Sequence, residues 1–192
     1  MIKINKRGVP ALIVIALIAV TSSHAQGTMT DPRDGRVYKT IDIGNKTWMA
    51  ENLNTADTTF FKICYDDTEL FCERYGGLYT WGNALKACPT GWHLPSKEEY
   101  DELLLMAGND KKSRYINLLE NGKTKLNLML GGWLFTGRIL KFRGLTKAGF
   151  YWASTQGERL QDAYRLVLPT IKIAVMSSGG KNDFCSVRCV KN

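Results

Sequence analysis

The stretch of sequence that decides the fold is Cys88-Pro89-Thr90-Gly91-Trp92-His93-Leu94-Pro95-Ser96-Lys97-Glu98-Glu99. Pro89 and Gly91 end a helix that precedes them, and Ser96 followed by Glu99 is a capping box that begins the next one. The apolar residues on either side recur every three to four positions, as on one face of a helix. We predict helices over residues 78–87, 97–107 and, from a weaker pattern, 113–119.

Towards the N-terminus, apolar and polar residues alternate at a period of two. Residues 36–43 and 46–53 flank the turn signal Gly44-Asn45, which predicts a β-hairpin. The segment Asp31-Pro32-Arg33-Asp34-Gly35 before it lacks the remaining ligands of a calcium loop and is interpreted as a turn.

Towards the C-terminus, short apolar runs predict four strands, at 150–154, 163–168, 171–177 and 185–190. Residues 123–146 are rich in Gly, Lys and Leu without a clean period, so we predict a long irregular loop there. Loops on a stable scaffold often carry binding residues. Hairpin, two or three helices, long loop and antiparallel strands together predict an α+β domain.

The first 25 residues have the pattern of a secretory signal peptide. A cationic start is followed by an apolar run over 9–20 and by a small-residue cleavage pattern ending at Ala25. A twelve-residue apolar helix spans about 18 Å, less than the roughly 30 Å core of a bilayer, so a permanent anchor is the weaker alternative. We expect cleavage after Ala25 and a single domain over 26–192, without a transmembrane segment, in the extracellular space, at the outer cell surface or in the periplasm.

Composition favours a globular protein without a nucleic-acid partner. The 192-residue chain has 26 Lys and Arg against 18 Asp and Glu, and 44% of its residues are hydrophobic. No basic run is longer than Lys111-Lys112, and no predicted helix has a basic face.

Cysteine usage in an exported chain predicts disulfide bonds. Cys64 and Cys72 close a polar loop, so a local bridge is the simplest pairing there, although two bridges and one free thiol among five cysteines leave fifteen arrangements open. The cysteines show no Cys-x-x-Cys spacing, and His93 is the single histidine after Ala25. We therefore expect no zinc site, no other metal and no cofactor.

Three motifs carry a resemblance to a known family: Lys46-Thr47-Trp48-Met49-Ala50-Glu51-Asn52-Leu53, the Cys88 to Pro95 stretch, and Ser186-Val187-Arg188-Cys189-Val190. Together they resemble the Fibrobacter succinogenes major paralogous domain, with similarity over about 30–192. The resemblance implies a secreted or surface-associated bacterial domain, distantly similar to C-type-lectin-like folds and to the formylglycine-generating family.

The resemblance also assigns roles to the cysteines. It implies a long-range bridge between Cys88 and Cys189 and a loop pair between Cys64 and Cys72. Cys185 departs from the family pattern, which leaves it as a free thiol, as a rival partner for Cys88, or as the site of a disulfide-linked dimer.

Candidate catalytic groups have simpler structural interpretations. His93 and Cys185 lack a third, orienting group for thiol catalysis. The carboxylate pair Glu98-Glu99 belongs to a helix cap and Asp66-Asp67 to a small loop, which argues against a glycosidase. We expect no catalytic residues.

Ligand binding without a metal would use exposed aromatic side chains, whose faces stack on sugar rings. The tripeptides with which C-type lectins bind calcium and sugar are absent. Five aromatic residues are candidates, of which we expect one or two to be exposed and Trp133 to be favoured: Trp133, Phe135, Tyr151, Trp152 and Tyr164.

We therefore expect a non-catalytic binding module with a glycan, a protein or another surface component as its ligand. One alternative is a cysteine oxidase of the formylglycine-generating type, which requires both Cys185 and Cys189 to be available. Another is a lectin-like display scaffold whose loops vary among paralogues.

Overall fold

The computed structural model describes residues 26–192, so the predicted signal peptide lies outside the described residues. This part of the chain contains thirteen strands and four helices. The strands are β1 Gln26–Thr30, β2 Val37–Ile43, β3 Lys46–Met49, β4 Lys62–Ile63, β5 Leu78–Tyr79, β6 Trp92–His93, β7 Gly131–Phe135, β8 Lys141–Leu145, β9 Gly149–Gln156, β10 Asp162–Leu168, β11 Val175–Gly180, β12 Cys185–Ser186 and β13 Val190–Lys191. The helices are α1 Glu69–Tyr75, α2 Trp81–Ala87, α3 Lys97–Ala107 and α4 Lys111–Leu118.

The N-terminal strands belong to a five-stranded antiparallel sheet with the order β1-β2-β3-β13-β6. The predicted hairpin is present as β2 and β3, and Gly44 takes a positive φ of 64° at its turn. The last strand, β13, pairs with both β3 and β6, so the two ends of the described chain meet in this sheet.

The helix predictions are correct for α3 and approximate elsewhere. The capping box is formed in full, because Ser96 Oγ accepts from the Glu99 amide while the Glu99 carboxylate accepts from the Ser96 amide. The helix predicted over 78–87 begins only at Trp81, since Leu78–Tyr79 is a strand of the second sheet. Helix α1 was not predicted and lies partly inside the small cysteine loop.

The second sheet has the order β11-β10-β9-β12-β5-β4, with β7 beside β9 and β8 beside β7. Both faces of β9 are covered: Tyr151 lies in one hydrophobic core with α3 and α4, and Trp152 lies in a second core with α2. The architecture is the α+β class predicted from the order of elements.

The prediction of an irregular loop over 123–146 is wrong for its second half, where β7 and β8 form an antiparallel hairpin. The physical reason is the use of glycine. Gly132 and Gly144 take positive φ values of 70° and 75°, and a Cβ on Gly132 would collide with the Arg143 carbonyl oxygen. Glycine at such positions removes the alternation that identifies a strand in sequence.

Two predicted C-terminal strands have different limits. The strand predicted over 171–177 begins at Val175, because residues 169–174 form a loop in which Ile171 is 69% exposed. The strand predicted over 185–190 is divided between β12 and β13, which lie in different sheets and join them.

Candidate functional site

Two disulfide bonds join Cys64 to Cys72 and Cys88 to Cys189, the two pairs that the family resemblance implied. The second bridge links the end of α2 to the segment before β13 across 101 positions of sequence. The sulfurs of Cys64 and Cys72 also lie near the Glu69 carboxylate. Because these two sulfurs are bonded to each other, they offer no thiolate to a metal.

Cys185 is a free thiol buried in the second core. Arg165 Nη1 lies 3.6 Å from its sulfur, and burial raises the pKa of the thiol to about 12. Of the three alternatives for Cys185, the structure has the free thiol, since Cys88 is bonded to Cys189, and a disulfide with a second chain would require the surrounding sheet to open.

Tyr151 and Trp152 are not ligand-binding residues, because β9 is a central strand with a core on each face. The Tyr151 hydroxyl donates to the Met129 carbonyl oxygen at 2.6 Å and accepts from its amide at 2.7 Å. Trp152 Nε1 donates to the Tyr79 carbonyl oxygen at 2.8 Å. Both side chains are fully buried.

The other three aromatic candidates divide between two places. Trp133 and Phe135 lie two residues apart on β7 and so share a face of that strand. Trp133 is half-buried against Phe150, at 4.1 Å between ring centroids, while Phe135 is 37% exposed. Tyr164 is half-buried on β10 and packs against the first core, so it does not lie with Trp133 and Phe135. Phe135, not Trp133, is thus the more accessible of the pair.

Two adjoining cavities of about 280 and 480 Å³ form a polar cleft beside β2. They share the lining residues Lys39, Ala50 and Asn127. The first cavity is bounded by the start of β2, the segment after β3 and the C-terminal end of α1, and the second extends along β1 and β2. The first cavity has three cationic, three carboxylate and three amide side chains: Arg36, Lys39, Arg74, Glu51, Glu73, Glu120, Asn52, Asn54 and Asn127.

One wall of the cleft is an ion pair between Arg36 and Glu73. Arg36 Nη2 donates to Glu73 Oε1 at 2.8 Å, and Nη1 donates to Oε2 at 3.3 Å. The hydrogen bond from Arg36 lowers the pKa of the Glu73 carboxyl. Opposite, the Glu51 carboxylate accepts from the Lys39 backbone amide at 2.7 Å. These contacts hold two of the cleft carboxylates in fixed positions.

Asn54 is a buried residue in the same wall with an unsatisfied acceptor. Its backbone amide donates to the Tyr38 hydroxyl at 3.1 Å, and its Nδ2 donates to Glu73 Oε1 at 3.4 Å. Its Oδ1 has no hydrogen-bond partner. A buried amide oxygen without a donor is costly, but this oxygen is itself enclosed, so a molecule in the cleft reaches it only if the Asn54 side chain turns.

Arg188 lies behind the cleft, fully buried, and fixes two of its amide-bearing residues. Its Nη2 donates to Asn52 Oδ1 at 2.6 Å and to the Asn127 carbonyl oxygen at 3.1 Å. Its Nη1 donates to the carbonyl oxygens of Met49 and Leu126, both at 3.1 Å. Within residues 26–192 it makes no ion pair with a carboxylate, and burial lowers its pKa.

The cleft residues were not predicted as a site from the sequence. Asn52 and Arg188 do stand in two of the motifs that carried the family resemblance, at opposite ends of the chain. A polar residue inside an otherwise buried apolar motif was the available signal, since such a residue needs a partner elsewhere.

His93 has structural partners. Its Nε2 lies 3.0 Å from Glu99 Oε2, its Nδ1 lies 2.6 Å from Asn192 Oδ1, and Lys46 Nζ reaches Glu99 Oε1 at 3.0 Å. None of these contacts involves Cys185. The imidazole and the capping carboxylate instead join β6, α3 and the C-terminal residue.

Among residues 26–192 no helix combines the length and the apolar character needed to cross a membrane. In comparisons with known proteins, no curated protein and no solved structure matches this chain. The profile of one family, described as the Fibrobacter succinogenes major domain, matches residues 41–191. This range contains all three motifs of the resemblance, as well as both disulfide bonds and Arg188. The chain belongs to the Fibrobacter succinogenes major domain family.

Proposed function

We propose that the protein is a secreted or surface-associated, non-catalytic binding module with a C-type-lectin-like fold, and that its polar cleft binds a short glycan of the bacterial envelope. The observation that carries the proposal is the cleft itself, two adjoining cavities with shared lining residues, in which the buried Arg188 fixes Asn52 and Asn127 and the surface pair Arg36–Glu73 lines one wall. Preorganised polar groups in a concave site are typical of small-ligand binding.

The chemistry of the cleft favours a ligand rich in hydroxyl groups. A hydroxyl both donates and accepts, and the cleft offers both kinds of partner, among them the Glu51 and Glu120 carboxylates as acceptors and the Lys39 ammonium as a donor. Its two cavities together have four cations, Arg36, Lys39, Arg74 and Lys125, against three carboxylates, and this near balance favours a neutral ligand over a strongly charged one. The two volumes together suit one or two sugar rings.

The cysteines support a binding module over the oxidase alternative. Cys189 is bonded to Cys88, and the pKa of Cys185 is raised to about 12 by burial, so neither sulfur is available as a thiolate near neutral pH. The lowered pKa of Glu73 is the opposite of what a general acid needs. Two intramolecular disulfides support export to an oxidising compartment, and the Cys88–Cys189 bridge supports the lectin-like assignment.

The test is a glycan array with the exported protein, followed by calorimetry on the best oligosaccharide. Lys39→Ala removes a cleft ammonium, and Asn54→Ala removes the amide that donates to Glu73 Oε1 and so helps to position that cleft carboxylate, and we expect each to weaken binding by about tenfold or more. Asn109→Ala, an exposed asparagine that does not line the cleft, is the matched control and retains wild-type affinity. The proposal is wrong if no glycan binds, or if folded Lys39→Ala and Asn54→Ala proteins bind as tightly as the wild type.

A further inference from the structure

The tip of the β7–β8 hairpin, residues 136–140, exposes apolar side chains that the fold does not use. Ile139 and Leu140 are 71% and 68% exposed, and Phe135 at the end of β7 is 37% exposed. A single exposed apolar residue is ordinary, but adjacent aliphatic residues with a neighbouring aromatic ring on a hairpin end mark an interaction surface.

In sequence, the segments on either side of this tip carry cations and no acidic residue. Residues 121–157 contain no Asp or Glu, and they contain six cations: Lys123, Lys125, Arg138, Lys141, Arg143 and Lys147. Within residues 26–192 none of the six forms an ion pair with a carboxylate. Arg143 instead lies over the Phe135 ring, 5.5 Å from its centroid.

The base of the hairpin is firmly attached, so the tip is held in one place. Thr136 donates from both its amide and its hydroxyl to Asp183 Oδ1, at 3.0 and 3.2 Å, and Asp183 Oδ2 lies 3.2 Å from Arg165 Nη1. On the other strand, the Phe142 ring packs on Tyr65 with 4.9 Å between centroids. These contacts hold Thr136 and Phe142 and do not extend to residues 137–140 between them.

We infer that the β7–β8 hairpin attaches the protein to the surface of an anionic phospholipid bilayer. Ile139 and Leu140 enter the boundary between headgroups and acyl chains, while Arg138, Lys141 and Arg143 contact lipid phosphates. Charge complementarity decides the occupant: Arg138, Lys141 and Arg143 flank the exposed aliphatic pair in sequence, which matches lipid phosphates beside acyl chains, whereas an anionic glycan would leave the aliphatic tip without a role. This attachment is independent of the polar cleft.

The experiment is co-sedimentation of the exported protein with vesicles of phosphatidylcholine alone and with 30% phosphatidylglycerol. We expect at least about tenfold stronger binding to the anionic vesicles, reduced by 0.5 M salt, and no competition from glycerol phosphate. The double variants Ile139→Ser/Leu140→Ser and Arg138→Gln/Lys141→Gln each weaken binding about tenfold. The control Leu160→Ser/Ile171→Ser, which changes equally exposed apolar residues on other loops, binds as the wild type.

Insertion of the hairpin tip into the bilayer is measured separately from binding. Ile139→Cys labelled with an environment-sensitive fluorophore shifts to shorter wavelength on anionic vesicles, whereas the buried Cys185 remains unlabelled. Equal binding of wild type and both hairpin variants overturns the inference, as does the absence of binding to anionic vesicles. Competition by glycerol phosphate without a fluorescence shift would instead assign the cations to a soluble phosphate ligand and also overturn it.

Discussion

Residues 123–130 and residues 131–145 follow each other in sequence, and each contains three leucines and no acidic residue, but the first has no glycine and the second has four, and the two segments lie in different environments. The first segment is irregular and lies over the interior, where Leu126 and Leu128 are buried and two of its carbonyl oxygens accept from Arg188. The second is a regular hairpin that exposes Ile139 and Leu140. The hairpin has regular backbone hydrogen bonds but an exposed tip, whereas the irregular segment is buried. Burial of residues 123–130 therefore depends on contacts with distant residues such as Arg188, and not on regular backbone hydrogen bonding.

The largest effect should come from the segment between β12 and β13 that carries Arg188, through its neighbour Cys189. The variant Cys88→Ala/Cys189→Ala opens a bridge that spans 101 positions, and the chain-entropy model gives a loss of about 4 to 5 kcal/mol in the free energy of unfolding. Cys64→Ala/Cys72→Ala, with a separation of 8, should lose about 2 to 3 kcal/mol. Guanidinium unfolding without reductant measures both. Equal losses would show that loop closure does not control stability here.

Arg188→Met tests the anchor of the first segment. It leaves four acceptors without their donor, the carbonyl oxygens of Met49, Leu126 and Asn127 and the side-chain oxygen of Asn52, so we expect a loss of about 3 to 4 kcal/mol. Hydrogen exchange should rise in residues 123–130 and not at the hairpin base. Unchanged exchange in 123–130 would show that the buried leucines alone hold the segment.

Thiol reactivity compares the interior with the hairpin tip directly. The native protein should react with an aromatic disulfide reagent at pH 8 at least about 100-fold more slowly than Ile139→Cys, because burial raises the Cys185 pKa to about 12 and blocks access. Denaturant should make both thiols react. A fast native reaction at Cys185 would mean that β12 opens readily and would restore the possibility of a disulfide-linked dimer.

The smallest effect is expected at the tip itself. Ile139→Ser/Leu140→Ser should change the free energy of unfolding by less than about 0.5 kcal/mol, since both side chains are exposed and make no core contact. Thermal and guanidinium unfolding beside the wild type measure the difference. A loss above 1 kcal/mol would show that the tip packs against the fold and does not serve as a free surface.

Local sequence patterns were sufficient to predict elements whose decisive hydrogen bonds or turns involve residues close in sequence. The capping box of Ser96 and Glu99 begins α3 where predicted, and Gly44 makes the turn between β2 and β3. The aromatic candidates show the limit of local sequence patterns. These patterns did not separate the buried Tyr151 and Trp152 from the exposed Phe135, because the difference arises from the cores that cover both faces of β9. Exposure depends on the neighbouring strands, which a local pattern does not contain.

By itself the sequence determined the α+β class, the principal capped helix, the N-terminal hairpin and, through its three motifs, the family. These depend on contacts within a few residues or on motifs read directly. Only the tertiary structure decided that Asn52 and Arg188, 136 positions apart, share a hydrogen bond, that Cys185 is enclosed, and that a polar cleft lies beside β2. A buried guanidinium without a carboxylate partner is stable only where carbonyl oxygens from distant segments converge on it, and that convergence is a property of the assembled fold.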